Sequence, residues 1–431
     1  MIRESKILSR LKALKTASKE LRSVSSIKKN RVLKSASRLL IKFQNEIIKA
    51  NEKDKTALLR QEGAQEKATP AYLDRLTLNP TRIAHMAESL RQVADLSDPV
   101  GEVIEKRTLK NGLSLRSVRS PLGVIFMIFE SRPNVAVESF SLAFKAGNSI
   151  LLKGGRESAH TTRILYQLLQ EACVSEKLSE NSLWGLSQTD RTVTEFLLKQ
   201  REWIDVVVPR GGEGLIDFVT QHSQIPLIKN AGGICHVYLH SDGDLSMANR
   251  IVINAKTQRP GVCNAMETLL VHQRIANRIL PSLFSHLSEH SVEWHACPLS
   301  FKLLKAQEGT GTSKIHKATQ ESWNTEYLDF ALNCRIVESL DEAILHIDEH
   351  GSGHSEAIIT ASEKSARKFQ SEVNAAVVYW NASTRFTDGF EFGLGGELGV
   401  STQKLHVRGP VGLRELTSLR WVIDGQGQVR K

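Results

Sequence analysis

The chain has 431 residues, 41% of them hydrophobic and 24% charged, with a net charge of +10. That length allows two or three domains with sizeable cores, and no apolar run is long enough to span a membrane. No basic start leads into an apolar core, and the five widely spaced cysteines (Cys173, Cys235, Cys263, Cys297, Cys334) form neither a disulfide framework nor a zinc motif, so a reducing, cytoplasmic setting without a metal site is expected.

The charge is unevenly placed. Residues 1–56 carry 16 Lys/Arg against 5 Asp/Glu, which leaves the remainder close to neutral. Such an excess suits nucleic acid, but Phe43 is the only aromatic among these basic residues. A solvated helical face is the expected reading, with no nucleic-acid partner. Ile7, Leu8, Leu11 and Leu14 recur at helical spacing, as do Leu39, Leu40, Phe43 and Ile47, so residues 5–60 read as helices. Residues 61–105 continue as helical segments broken by Pro70, Pro80 and Pro99. Lys106 to Arg119 alternates around Asn111-Gly112, the dipeptide of a type I′ hairpin; an arm for subunit contact is expected there.

A βα rhythm follows. Gly123 to Phe129, Ser149 to Leu152, Leu183 to Leu186 and Asp205 to Val208 read as strands, and helices fall at about Val135–Ala146, Ser158–Cys173, after Asp190 and from Gly214. That alternation predicts right-handed crossovers and a parallel sheet, with ligands at the carboxyl ends of its strands. Two strands end in glycine turns that open helices, Lys153-Gly154-Gly155-Arg156 and Arg210-Gly211-Gly212-Glu213-Gly214. Bare glycines let backbone N–H groups approach a phosphate at a helix start, although glycine also simply turns a strand into a helix. The strict G-x-G-x-x-G fingerprint is absent.

A second α/β region runs from Val237 to about Glu372. In it a helix from Met247 to Lys256 should stop before Pro260, and Thr268 to Val271 reads as a strand. Cys263 therefore sits on the loop between them, just after Pro260 and Gly261. A lone cysteine is more often an inert core residue than a nucleophile. Leu303 to Trp323 reads as irregular, Val373 to Asn381 as a strand, Gly389 to Gly396 as a glycine-rich loop, and Leu416 to Arg430 as strand and tail.

The segment Gln258-Arg259-Pro260-Gly261-Val262-Cys263-Asn264-Ala265 resembles the nucleophile segment of the γ-glutamyl phosphate reductase (glutamate-5-semialdehyde dehydrogenase) family, a branch of the aldehyde dehydrogenase superfamily. Phe129-Glu130-Ser131-Arg132-Pro133-Asn134, Ala146-Gly147-Asn148, Asn381 to Gly389 and Ser401-Thr402-Gln403-Lys404-Leu405-His406 are similar to its other signatures, in the same order. The resemblance covers roughly residues 5–430 and outweighs the inert-cysteine reading. It implies an aldehyde dehydrogenase-like α/β fold: a parallel-sheet cofactor domain (1–105 and 121–236), an α/β catalytic domain (237–380) and a small β oligomerisation arm (106–120 and 400–431). It also implies NADPH, a place in proline biosynthesis, a homo-oligomer, and a functional pairing with glutamate 5-kinase, for which the chain has no fused domain.

The implied reaction is reduction of L-glutamyl 5-phosphate to glutamate 5-semialdehyde. Cys263 as thiolate would displace phosphate, and the resulting thioester would take hydride. Oxyanion donors would be the Cys263 N–H and Asn134, the latter alternatively a turn former. Lys153 matches the superfamily lysine at the adenosine ribose, with Gly154, Gly155 and Arg156 beside it; Arg210, Gly211 and Gly212 lie where the pyrophosphate approaches. Glu326 falls where a glutamate grips the nicotinamide ribose, or is a solvated carboxylate. Arg132, Arg259 and Arg385 are the arginines inside motifs, suited to phosphate or carboxylate, with Ser383 and Thr384 as hydroxyl partners. Aldehyde-oxidising relatives carry a glutamate thirty-odd residues before the cysteine; Ile228 to His236 holds no carboxylate. The alternatives are an NAD(P)-dependent dehydrogenase oxidising a free aldehyde, and a nucleic-acid-binding protein on an inactive enzyme fold.

Overall fold

A computed structural model describes residues 4–60, 70–186, 190–229, 232–307, 309 and 311–430. Residues 61–69 of the expected helical run, and Asn230 and Ala231 of the segment before the cysteine, lie outside the described residues. The chain forms two compact units: Met1–Asn230 with Gly393–Gly399 and Pro410–Lys431, and Ala231–Phe392 with Val400–Gly409.

The first unit opens with helices α1 (Glu4–Leu21), α2 (Ser26–Lys42), α3 (Gln44–Leu59), α4 (Pro70–Leu76) and α5 (Pro80–Asp95). Ser25 caps α2 by accepting the Lys28 N–H; Asn79 caps α5, whose first residue is Pro80, a place where proline loses no helical hydrogen bond. Of the apolar positions at helical spacing, Ile7, Leu11, Leu14, Leu40 and Ile47 are buried and Leu39 and Phe43 half-buried, while Leu8 is exposed. The basic excess is not wholly a solvated face. Lys29 is fully buried, 2.8 Å from Asp98 and 3.2 Å from the Lys145 carbonyl, and Lys15 pairs with Asp205 at 2.7 Å.

The arm strands β1 (Val103–Thr108) and β2 (Ser114–Pro121) come next, then β3 (Val124–Phe129), α6 (Asn134–Lys145), β4 (Ser149–Lys153), α7 (Ala159–Ser175), β5 (Leu183–Gly185), α8 (Arg191–Leu198), β6 (Val206–Arg210) and α9 (Glu213–His222). The four strands β5-β4-β3-β6 form one sheet in that order, every pair parallel. β3 is buried along its whole length, as an apolar run covered on both faces must be. The strand order reverses between β3 and β6, which opens a crevice at their carboxyl ends.

The second unit holds β7 (Cys235–Leu239), α10 (Leu245–Thr257), β8 (Met266–His272), α11 (Gln273–Ser288), β9 (Glu293–Ala296), α12 (Pro298–Lys305), β10 (Ile315–Lys317), β11 (Ala331–Val337), α13 (Leu340–His350), β12 (Ser355–Ile359), α14 (Glu363–Glu372) and β13 (Val377–Trp380). The strands make a seven-stranded, wholly parallel sheet in the order β10-β9-β11-β8-β7-β12-β13. The stretch expected to be irregular, Leu303 to Trp323, contains the last turn of α12 and the strand β10. The expected break at residue 236 falls inside β7. Helix α10 starts at its Asp244 cap and stops ahead of Pro260, as proline geometry requires.

β14 (Thr417–Asp424) belongs to the first unit and pairs antiparallel with β2, so β1, β2 and β14 form a three-stranded sheet. The hairpin is there, but its turn is not type I′. That turn needs positive φ at both central residues; here φ is positive at Gly112 (86°) and not at Asn111. Gly112 donates its N–H to Leu109 at 2.9 Å, and Leu109 donates to Leu113 at 2.8 Å. A three-residue loop with glycine in the left-handed position therefore replaces the two-residue turn.

Candidate active site

Cys263 occupies the loop that joins α10 to β8, so it lies at the amino ends of the second sheet. Four of the five cysteines are buried; Cys263 is part-exposed. Gly233 lies flat against its backbone, where an added Cβ would stand 1.5 Å from the Cys263 carbonyl oxygen and 2.8 Å from its Cα. The Gly233 N–H donates to Glu326 Oε1 at 2.7 Å. The Cys235 thiol, first residue of β7, donates to the Cys263 carbonyl at 3.1 Å. Burial pushes that thiol well above the ordinary range, helped by Glu356, so Cys235 stays a neutral donor. Cys263 is thus positioned through its main chain by a second, inert sulfur and a glycine.

Hydroxyls and an arginine hold the far side of the loop. Thr384 Oγ1 donates to the Asn264 carbonyl at 2.7 Å, and Asn264 Nδ2 donates to the Thr387 carbonyl at 2.8 Å. Arg385 donates through Nε to Gln258 Oε1 at 2.9 Å and through Nη1 to Asn264 Oδ1. Burial, then the charge of Arg259, holds the Arg385 guanidinium below its usual range. Ser383 accepts the Arg385 N–H at 3.3 Å, so it shapes the turn that presents Arg385. Thr387 Oγ1 bonds Ser355 Oγ at 2.7 Å and Tyr379 OH at 2.8 Å, and Ser355 reaches His354 Nδ1 at 2.8 Å. Burial alone drives His354 down to about 4, so its ring is neutral at physiological pH.

The base of the loop is closed by a buried ion pair. Lys256 and Glu267 are both fully buried and 2.9 Å apart; Lys256 also donates to the Met266 carbonyl at 3.0 Å. Burial pushes Glu267 up to about 7 against the pull of Lys256. Such a pair costs desolvation but penalises loss of one partner heavily.

In the first unit, the crevice at the carboxyl ends of β3 and β4 has a volume of about 310 Å³ and is lined by Tyr72, Ile128, Phe129, Glu130, Lys153 and Leu215 among others. Burial lowers the Lys153 ammonium, while Glu157 and Glu130 pull it back up. Gly154 packs against Phe129, at 3.2 Å from an added Cβ. Arg156 is exposed and begins a short 3-10 turn that runs into α7. The Gly212 N–H, at the start of α9, donates to Glu130 Oε2 at 3.0 Å, so a carboxylate already holds the anion position of that helix start. Ser131, with a positive φ of 50°, donates through its N–H and hydroxyl to Glu157. Asn134 donates to Glu138 Oε1 at 2.7 Å, and Arg210 lies 3.5 Å from Glu138 Oε2.

The expected site residues therefore fall into two groups. Arg259, Cys263, Glu326, Ser383, Thr384 and Arg385 belong to the second unit, with all but Glu326 on the nucleophile loop or the segment bonded to it; Glu326 reaches that loop through Gly233. Arg132, Asn134, Lys153, Gly154, Gly155, Arg156, Arg210, Gly211 and Gly212 belong to the first unit, around the ends of β3, β4 and β6. Gly233, Cys235, His354 and Thr387 were not anticipated. The Gly232-Gly233 pair ahead of a strand was the one available signal for a close backbone approach.

Sequence and structure comparisons place this geometry. Residues 2–298 match the aldehyde dehydrogenase family. The γ-glutamyl phosphate reductase of Carboxydothermus hydrogenoformans is 47% identical over 424 residues, 98% of this chain and 99% of that protein. The chain belongs to the γ-glutamyl phosphate reductase family. The crystal structure of the Thermotoga maritima γ-glutamyl phosphate reductase superposes with a TM-score of 0.91 at 41% identity, covering 98% of this chain and 99% of that one. An engineered glycolyl-CoA reductase with bound NADP⁺ shares the fold at a TM-score of 0.68 and 16% identity, covering 96% and 95%. For this family a part-exposed cysteine on a braced loop is a nucleophile candidate rather than a core residue.

Proposed function

We infer that the protein reduces L-glutamyl 5-phosphate to L-glutamate 5-semialdehyde, releasing phosphate, as a step of proline biosynthesis. The observation that carries this reading is the braced, part-exposed Cys263, with three nearby carboxylates among the described residues each bonded through at least one oxygen. Glu267 is tied to Lys256, Glu326 to the Gly233 N–H, and Glu356 to His236 at 3.0 Å. Hydrolysis of a thioester needs a base for water; an acyl phosphate exchanged for a thioester and then reduced does not.

The Cys263 thiolate attacks the acyl carbon, and the phosphate leaves with its bonding electron pair. The charge that develops on the acyl oxygen needs fixed donors, typically about 2.7–4 kcal/mol each; the Cys263 N–H is one. Resemblance alone carries Asn134 as the second, and that role requires it to give up Glu138. Arg385 and Arg259 supply cations for the substrate's phosphate or carboxylate, with Ser383 and Thr384 shaping the segment that presents Arg385; Arg132 is assigned to the substrate by resemblance. Collapse of the reduced thiohemiacetal returns the electron pair to sulfur and frees the aldehyde.

The first unit's residues fit a phosphorylated dinucleotide. The crevice has an apolar floor, a half-buried lysine and a helix start already carrying a carboxylate. Lys153 with Gly154, Gly155 and Arg156 would hold the adenosine ribose and its phosphate, and Arg210 to Gly212 the pyrophosphate; resemblance alone assigns Glu326 to the nicotinamide ribose. NADPH, when bound, supplies hydride. We further propose the first unit for cofactor binding, the second unit for catalysis, and the β1-β2-β14 sheet for oligomerisation. On β14, Leu419, Trp421 and Ile423 are about half-exposed in alternation, which supports a homo-oligomer built on this sheet. A cytoplasmic enzyme fed by glutamate 5-kinase is the setting this chemistry needs, because its substrate is an activated acyl phosphate. The test is NADP⁺ reduction driven by glutamate 5-semialdehyde plus phosphate. Strict dependence on phosphate is expected; phosphate-independent oxidation to glutamate would sink the assignment.

A further inference from the structure

The second unit contains a separate cavity of about 210 Å³, on the same amino-terminal edge of the sheet as Cys263, between the Gly351–Gly353 turn, the end of α13 and the 402–408 segment. Its charges are of both signs. Glu356, Asp348, Lys404 and Arg408 line it, together with Asn374 and Ser352.

Glu356 decides what the cavity suits. Its side chain is fully buried. Oε2 accepts both the His236 N–H at 2.7 Å and Nδ1 at 3.0 Å, and Oε1 has no hydrogen-bond partner among the described residues. A buried acceptor left unmade is unfavourable, so a donor that reaches it is favoured. Gly351 packs over that oxygen, since an added Cβ would stand 3.3 Å from it. Burial raises the Glu356 carboxyl, His236 pulls it back down, and the charge of Asp348 adds a smaller upward push; a cation beside the two carboxylates stabilises their charged forms. Arg408 donates through Nη2 to Asn374 Oδ1 at 2.9 Å. Its buried Nε has no partner among the described residues, and Lys404 is exposed at the mouth. One cavity lined by an unmade acceptor with a second carboxylate and by an unmade donor with a second cation carries both charges of a small zwitterion.

We propose that this cavity binds the head group of an α-amino acid, its ammonium at Glu356 and Asp348 and its carboxylate at Arg408 and Lys404. Occupancy is coupled to the nucleophile. Ser352 Oγ accepts the Ile234 N–H at 2.9 Å, and Ile234 sits between Gly233, which packs on the Cys263 backbone, and Cys235, which donates to it. A ligand that moves the 351–353 turn therefore moves the ledge under Cys263. The head group has two sources: the reaction's own glutamyl substrate, or a free amino acid acting as an effector.

The test is calorimetric titration of the intact protein with L-glutamate and with L-proline at millimolar concentration, alongside N-acetyl-L-glutamate, which lacks the ammonium. Binding of at least one free amino acid is expected, with about tenfold or greater weakening for the acetylated probe and in Lys404→Met and Arg408→Met. Lys404 is exposed, so its variant should fold normally, as circular dichroism will report. No heat with either amino acid, or binding unchanged in both variants, overturns the proposal. Steady-state kinetics, which alone rests on the proposed reaction, separates the sources. Competition with substrate and a raised KM in Lys404→Met identify the substrate's head group; a change in kcat without competition identifies an effector. Because binding is read without turnover, it fails or stands independently of the reaction.

Discussion

The two units build their functional edges by opposite means. In the first, charged side chains sit at the carboxyl ends of a four-stranded sheet and are held by other charges: Lys153 between Glu130 and Glu157, Arg210 near Glu138, and a glycine N–H on Glu130. Each contact can be exchanged for a ligand anion. In the second, Cys263 sits at the amino ends of a seven-stranded sheet and is held through its backbone by Gly233, Cys235 and the Thr384–Asn264 bonds. Those contacts fix the main chain of the loop and leave side chains such as Arg385 to exchange partners. The edge proposed for the cofactor thus rests on replaceable side-chain contacts, and the loop proposed for the nucleophile rests on packing.

Perturbations should separate these two designs. The largest effect is expected from Cys263→Ala, which should lower turnover by at least about 10⁴-fold while circular dichroism and Tm stay near the parent; retained turnover would break the assignment of the second edge. Lys256→Met leaves Glu267 buried without its partner and should cost about 3–5 kcal/mol in denaturant unfolding, whereas the double replacement Lys256→Met with Glu267→Gln should recover a large part of that. His354 tests the packed edge by pH. In the unfolded chain it takes up a proton near 6.5, in the fold only near 4. The unfolded state therefore binds more protons within that window, and stability should fall as pH drops from 6.5 to 4 and be level above it. The contribution of His354 should be on the order of 3 kcal/mol, so His354→Asn should make the limb shallower by that amount relative to the parent, while His346, held down to about 2 by burial, keeps its own share.

Gly233→Ala sharpens the comparison. Its Cβ has no room beside the Cys263 carbonyl, and a displaced nucleophile should lose about 10²-fold in kcat with little change in cofactor affinity, which stopped-flow binding of NADPH would check. The smallest effect belongs to the exchangeable edge: Lys153→Met should weaken NADPH by about tenfold, one charge-assisted hydrogen bond, and leave kcat at saturation nearly unchanged. A collapse of kcat instead would mean that the first edge also positions reacting atoms.

How much of this was legible in the chain depends on how local each cause is. β3 was legible because six apolar residues in a row have no other stable placement than a covered strand. The stop of α10 before Pro260 was legible because proline geometry acts on its immediate neighbour. β9 and β10 were not, because they span four and three residues with polar members such as Glu293, His295 and Lys317, and pairing rather than periodicity makes them strands. The hairpin turn was misread because Asn-Gly serves two turn geometries and the flanking register chooses between them. Cys235 was read only as a fifth scattered cysteine; its bond to the loop joins positions 28 residues apart, which no window of sequence contains.

The sequence by itself determined the parallel α/β architecture, the family and the loop that bears the cysteine, since periodicity, breakers and motif order act through neighbours along the chain. Only the tertiary structure decided which groups surround that cysteine and how each is ionised. Burial and hydrogen bonding between residues a hundred or more positions apart, as between Asn264 and Arg385 or His236 and Glu356, set those properties, and both arise only when the strands that carry them lie side by side.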